Sequence, residues 1–375
     1  MVKKIVSLTD LINKYEFLER FLIYISFILF KLIRLLTKTI ITKKDNIVIV
    51  AIHKIGDSVF TFKAIKFIKN KYQKDVLIVC LPDSKPIYEL IHPAEKIIEI
   101  PKQFFYFNDR IASRRARKIL RTTHPHTIID LTGVMTSASL IFNSSAKEII
   151  GMNREIFKGI FSSFSPIKIS KHSSDIYTNA IANYYGNIDD LKFEIKINYA
   201  SNDNILIHPF AGWKSKEWNL NKYIDLGLRL ANKYNCAIIT PPNTIKEDIK
   251  EAIRKTNLNI IETQNVRELI LNIGKCSLII GNDSGAIQLA AVLGKPTFSI
   301  YGPTNPRYHL PSFNEKYNKF IQFKVNCTPN KNQRLCFTNG GIDGCPSFEC
   351  LNLLPVDTVY STLLNFIFEL GLEKK

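Results

Sequence analysis

From residue 46 onward the chain alternates short apolar, β-branched runs with longer helical patterns, which restricts it to parallel sheets covered by helices. The spacing predicts strands at NIVIVAI (46–52), VLIVC (76–80), KIIEI (96–100), TIIDL (127–131) and KEIIG (147–151), with helices between them, one over 57–70. A polar stretch over 186–203 suits a linker. A second series then follows at NILIHP (204–209), CAIIT (236–240), NIIET (259–263), SLIIG (277–281) and PTFSIYG (296–302). Its helices are expected over 221–234, 245–255, 265–273 and 285–293, and a last helix is started by Pro355 and stopped near Gly371. A chain of 375 residues exceeds one ordinary core. The expectation is therefore two α/β domains, 46–190 and 200–354, preceded by a segment 1–45 and followed by a carboxy-terminal helix, 355–375. Tandem sheets of this kind take ligands at the carboxyl ends of their strands, in a cleft between the domains.

Neither a G-x-G-x-x-G fingerprint nor a G-x-x-x-x-G-K-[ST] loop is present, and no D-x-D pair exists to hold a metal against a diphosphate. A diphosphate would have to be held by protein groups. The sharpest candidate is LIIGNDSGAIQLAAVLGKPTFSIYGPTNP (278–306), where a buried strand runs through Asn282, Asp283 and Ser284 into an apolar helix. Amides at Ser284, Gly285 and Ala286 would face the cleft, where the helix dipole favours phosphate, and Gly285 would let the ligand approach. The competing reading makes Asp283 or Ser284 only a helix cap. The same question attaches to Asp57 in AIHKIGDSVF (51–60), a lone acid behind Gly56 at a strand-to-helix turn.

The 278–306 tract resembles the signature of glycosyltransferase family 9, the bacterial heptosyltransferases. VIVAIHKIGDSVFTFKAIKFIK, TIIDLTGVMTSASL and LIHPFAGWKSKEWNLNKYIDL are similar to other motifs of that family, in the expected order. The resemblance implies two facing Rossmann-like doubly wound domains of the GT-B type with an interdomain cleft. It also implies inverting, metal-independent transfer of heptose from ADP-heptose to the inner core of lipopolysaccharide or lipooligosaccharide. On this resemblance Asp57 is the general base, with Gly56 keeping its turn open for the acceptor. Lys216 is the cation for the leaving diphosphate, Asp283, Ser284, Gly285 and Gln288 are donor-binding, and no cofactor beyond the nucleotide sugar is expected. Lys214 competes weakly with Lys216, and Trp213 or Trp218 would line the nucleotide pocket. The chain departs from the family pattern at Gln288, where a histidine is usual, at Phe210 in place of a glycine, and in TPPNT (240–244). Ile245 stands where an acid often binds ribose, with Glu247 nearby.

Lys plus Arg total 51 against 33 Asp plus Glu, and the resulting +18 favours an acidic partner. RIASRRARKILR (110–121) holds six basic residues and no acid, and Arg110, Arg114, Arg117 and Arg121 would share one helix face. That face is either solvated or touches acidic sugars and phosphates of a lipid-linked oligosaccharide acceptor, or anionic headgroups. No nucleic-acid recognition motif accompanies it. His53, beside Asp57, is read either as an acceptor contact or as structural. The segment RFLIYISFILFKLIRLL (20–36) is apolar but broken by Lys31 and Arg34, and its unbroken run falls well short of the ~20 residues of a span. It is read as packed on the protein, as lying on an anionic membrane surface, or as an anchor. Seven cysteines without a secretory signal suit a reducing compartment. Cys327, Cys336, Cys345 and Cys350 lack paired C-x-x-C spacing, leaving free thiols, a disulfide or a metal site open. The expected location is cytoplasmic, peripheral on the inner face of the bacterial inner membrane. Two alternatives stand: a related transferase using another nucleotide sugar, and a catalytically silent, membrane-associated relative.

Overall fold

The computed structural model describes residues 16–38, 46–72, 76–108, 110–168, 172–186, 188, 203–336, 345 and 347–372. Most of the expected linker, 186–203, lies outside them. Two six-stranded sheets, each parallel throughout, dominate the molecule. The first comprises β1 (Asn46–Val50), β2 (Val76–Cys80), β3 (Ile97–Glu99), β4 (Pro125–Asp130), β5 (Glu148–Asn153) and β6 (Ser163–Pro166), in the spatial order β3-β2-β1-β4-β5-β6. The second repeats the plan with β7 (Asn204–His208), β8 (Asn235–Thr240), β9 (Asn259–Glu262), β10 (Leu278–Asn282), β11 (Thr297–Tyr301) and β12 (Asn318–Gln322), in the order β9-β8-β7-β10-β11-β12. Each sheet starts at its centre, winds to one edge and returns to the other, the doubly wound topology. Central strands such as β10 and β11 are buried at every position, because helices cover both faces.

Each sheet has a sixth strand that the sequence pattern does not announce. SFSP and NKFIQ are edge strands with one hydrogen-bonded neighbour and partial exposure, so neither needs a continuous apolar run. The helix expected over 57–70 is two helices, Ile55–Phe60 (α2, counting Glu16–Thr37 as α1) and Phe62–Lys71. They divide at Thr61, whose hydroxyl and amide both donate to the carbonyl of Ser58, at 2.7 and 3.2 Å. The basic helix, α3, runs Arg114–Thr122 and is capped by Ser113, which accepts from the Ala116 amide. Arg110 therefore does not share its face; it lies ahead of the cap, at the end of the turn in a short antiparallel hairpin (Phe105–Tyr106 with Ile111–Ala112). The last helix, Val356–Glu369, buries Val359, Leu363, Phe366 and Ile367 in the core of the second sheet.

The first sheet delivers a buried acid at the end of β4. Asp130 Oδ1 accepts from the amides of Thr132 (2.9 Å) and Gly133 (3.4 Å), and Oδ2 from Ser137 Oγ (2.8 Å) and Asn153 Nδ2 (3.3 Å). This fixes the 131–134 loop over the strand ends. Burial outweighs these hydrogen bonds and raises the carboxyl from its ordinary 3.8 to about 6. A raised folded-state value stabilises below the unfolded value, and that stability is lost as pH rises through the folded one. Urea denaturation across pH is expected to show wild type losing up to about 3 kcal/mol relative to Asp130→Asn between pH ~4 and ~7. A flat difference would show that burial does not control this acid.

Candidate functional site

The two lobes meet backbone to backbone at a pair of glycines. Helix α2 opens directly beyond β1, and the helix Gly285–Val292 (α4) opens beyond β10; their first turns abut. A Cβ on Gly285 would sit 2.8 Å from the Gly56 nitrogen, and one on Gly56 would sit 3.3 Å from the Gly285 Cα. Both glycines also line the neighbouring cavity, and a side chain at either position would meet the opposing lobe.

Beside this contact lies an interlobe cavity of about 740 Å³. Lys54, Gly56 and Pro82 line it from the first lobe; His208, Phe210, Pro241, Thr263 and Ser284 line it from the strand ends of the second. Ser284 Oγ is buried and without a hydrogen-bond partner among the described residues. It occupies the amino-terminal cap position of α4, yet no side chain caps that helix, so the capping alternative for Asp283 and Ser284 is not what the structure shows.

Asp283 is used in an ion pair. Lys216 Nζ donates to Asp283 Oδ2 at 2.6 Å, with side chains only 14% and 7% exposed, and Thr304 Oγ1 donates to the same oxygen at 2.8 Å. Burial alone would raise the Asp283 carboxyl, but the charge of Lys216 overcomes it and holds the group below the ordinary carboxylate range. Lys216 also lies 4.5 Å from the ring centre of Trp213, which supplies a cation–π contact. The loop carrying both is fixed by Asn282, whose Oδ1 accepts from the Trp218 amide and the Tyr223 hydroxyl, both at 2.9 Å, while Nδ2 donates to the Pro209 carbonyl at 2.7 Å. Trp218 is core, 1% exposed, with Nε1 donating to the Leu354 carbonyl. Lys214 pairs outward with Glu217.

Asp57 stands in the first turn of α2, exposed; the cap position belongs to Lys54, and among the described residues the Asp57 carboxylate accepts no hydrogen bond. Its charge bears on His53, Tyr177 and, from the other lobe, Arg334. His53 is buried, donates from Nε2 to the Leu131 carbonyl at 3.1 Å and packs edge-on against Tyr177, so it ties loops together inside the first lobe. Burial keeps its imidazole below the ordinary histidine range. Gln288 directs its amide to the His309 carbonyl at 2.6 Å. Arg117 donates to the Ala112 carbonyl at 2.6 Å and lies over Phe142, whereas Arg114 is exposed. Ile245 is core, and Glu247 pairs with Lys250 and Arg254 away from the cavity. None of the seven cysteines is in a disulfide. Cys327 is raised by burial and by its hydrogen bond with Cys336, and among the described residues no three His, Cys, Asp or Glu side chains are placed to hold a metal ion.

Two residues that the sequence reading did not single out complete the site. His309, from the short helix after the YGPTNP turn, has an imidazole pushed down to about 4 by burial and lies within electrostatic reach of Asp283 and Lys216. It supplies in space a histidine near the position where Gln288 replaces one in sequence. Arg334 donates to Ser173 Oγ of the first lobe at 2.7 Å and stacks 5.2 Å from the Tyr308 ring centre. It sits between Asp57 and His309 in the charge sequence, but its loop carries no sequence pattern that would have marked it.

The two doubly wound lobes, with a cavity lined from both, have the GT-B fold. The profile of glycosyltransferase family 9 (heptosyltransferase) matches residues 113–339, more than half of the chain, and the chain belongs to that family. It is 26% identical over 324 residues to lipopolysaccharide heptosyltransferase 1 of Campylobacter coli, covering 76% of this chain and 92% of that one. Similarity to lipooligosaccharide heptosyltransferase 2 of Haemophilus influenzae is 33% over 67 residues, 18% of this chain and only 19% of that protein's length. Among solved structures, E. coli heptosyltransferase WaaC with ADP has a TM-score of 0.63 at 14% identity, covering 86% of this chain and 99% of that one, a likeness of fold.

The glycine contact makes a direct prediction. Gly285→Ala is expected to force the first turns of α2 and α4 apart, raising amide hydrogen exchange at residues 55–58 by at least about tenfold while both sheets stay protected. Unchanged exchange there would show that the lobes do not depend on this approach.

Proposed function

We propose that this chain transfers heptose from ADP-heptose, with inversion, to a lipid-linked acidic inner-core oligosaccharide at the cytoplasmic face of a membrane. The observation that carries the reading is the exposed Asp57 of one lobe, whose carboxylate accepts no hydrogen bond among the described residues, set beside the glycine contact across which the other lobe holds the buried Lys216–Asp283 pair. The acceptor hydroxyl attacks the anomeric carbon as the bond to the nucleotide diphosphate breaks on the opposite side, and Asp57 takes the hydroxyl proton. That hydroxyl becomes acidic only as its new bond forms, so a weak base can receive its proton. The departing diphosphate gains negative charge; Lys216 and the amino terminus of α4 meet it without a metal ion in this reading. Asp283 is a positioning residue that holds the ammonium in place until phosphate oxygens compete for it. The WaaC structure with ADP and the C. coli heptosyltransferase support the choice of nucleotide and sugar.

A second reading, another nucleotide sugar, is favoured by the nucleotide end of the cavity, where Phe210, Pro241 and Pro242 stand and Glu247 faces elsewhere. Calorimetric titration with ADP, GDP and UDP separates the two; tightest binding of ADP is expected. Asp57→Asn is expected to lower transfer by about 10²–10⁴-fold while leaving ADP affinity within a few fold. Near-wild-type turnover of that variant would remove Asp57 as base. Failure of the wild type to transfer from any donor would favour the silent relative.

A further inference from the structure

We propose that the outward face of α1, together with the hairpin tip and basic helix beside it, is a docking surface for an anionic lipid bilayer, with α1 lying flat among the headgroups. The proposal rests on the reading that the acceptor is lipid-linked. The outer face of helix α1 is apolar. Phe21, Ile25, Leu29, Leu32, Leu35 and Leu36 fall on one helical face and are all exposed, Leu29 and Leu32 at 53% and Leu36 at 85%. Arg34 points the other way, and Lys31 reaches back to the protein. Arg34 is buried, its guanidinium donating to the carbonyls of Ser144 and Ala146, each at 2.5 Å, and Lys31 donates to the Phe161 carbonyl at 3.0 Å.

A helix that only covered its own protein in water would carry polar side chains on its outer face, because apolar side chains gain by leaving water. The helix is also fixed. Gly159 leaves room for the backbone of Phe27, and Phe30 sits between Phe142 (6.3 Å) and Phe157 (6.0 Å). The outward stripe is thus held by specific contacts and presented on a rigid lobe.

The occupant is indicated by charge. Exposed Arg20 and Lys38 lie along one border of the stripe by helical spacing. Phe142, which packs on Phe30, also carries the Arg117 guanidinium 5.7 Å from its ring centre, and so sets α3 next to α1. Exposed Arg114, Arg115, Lys118 and Arg121 face solvent from α3 without an intervening acid. At the neighbouring hairpin tip Tyr106 and Phe107 are 56% and 75% exposed, the aromatic type that favours the bilayer interface. A second copy of a +18 chain would bring like-charged borders together, whereas an anionic surface complements them. Among the described residues no helix is long and apolar enough to cross a membrane, so the contact is interfacial.

The test floats the full chain with phosphatidylcholine vesicles and with vesicles containing phosphatidylglycerol. Binding to the anionic vesicles, weakened by salt, is expected; a Leu29→Glu, Leu32→Glu, Leu36→Glu variant should lose at least about tenfold in partitioning. ADP titration of that variant should be unchanged, which shows that it is folded, and the milder Leu32→Ser should lose part of the binding. No partitioning onto anionic vesicles, or equal binding by the triple variant, overturns the proposal. Salt-independent binding to phosphatidylcholine alone overturns its charge component, and a stable dimer dispersed by the same substitutions, without vesicle binding, assigns the face to a second copy. Vesicle binding without heptose transfer would sustain the docking surface while the transfer reading failed; transfer without vesicle binding would do the reverse.

Discussion

The approach of two bare backbones, Gly56 on one lobe and Gly285 on the other, sets the geometry on which the rest of the site depends. Asp57 is the next residue beyond one contact, and Asp283 and Ser284 lie just before the other. The distance between an acid on the first lobe and the ion pair on the second is therefore governed by van der Waals contact between backbones, a much stiffer determinant than any loop. Cavity walls drawn from four strand ends of the second sheet follow from its topology, since the chain reverses direction between β7 and β10 and opens a crevice there.

Close to that contact the second lobe buries one charged pair. Lys216 against Asp283 is an ion pair out of bulk water, and such pairs tend to cost desolvation that their attraction only offsets when every remaining valence is satisfied. Thr304 on the same oxygen and the Trp213 ring under the ammonium offset part of that cost. His309 stays neutral near physiological pH, because burial has pushed it to about 4, and so adds no further positive charge to an already cationic corner. Arg334 extends the chain of charges to the first lobe, where it meets Ser173 and the field of Asp57.

Much of the fold was legible because parallel strands buried on both faces read as continuous apolar runs; ten strands fell near their predicted positions. The two that did not, β6 and β12, are edges, and their burial is too incomplete to impose a pattern. Thr61 broke a helix through a hydroxyl bond to a carbonyl three residues back, a local event that leaves apolar periodicity intact. At the site, Lys216, Asp283 and Ser284 were singled out from their motifs, but the close approach of Gly56 to Gly285 was not legible, since each meets a backbone more than two hundred residues away. Arg334 was invisible for a similar reason: its partners, Ser173 and Tyr308, lie on different elements. Whether α1 turned its cations inward depended on carbonyls at Ser144 and Ala146, remote from Arg34 in the chain.

Asn282 has a consequence for how the second lobe responds to a ligand. One carboxamide holds the end of β10, the turn at Pro209 and the start of the segment after Lys216, with all its principal bonds made inside the protein. The ammonium and the tip of α4 are consequently parts of a single stiff block. A diphosphate drawn toward either one would load both at once, and recoil as it leaves would be shared across the lobe and not absorbed by a slack loop.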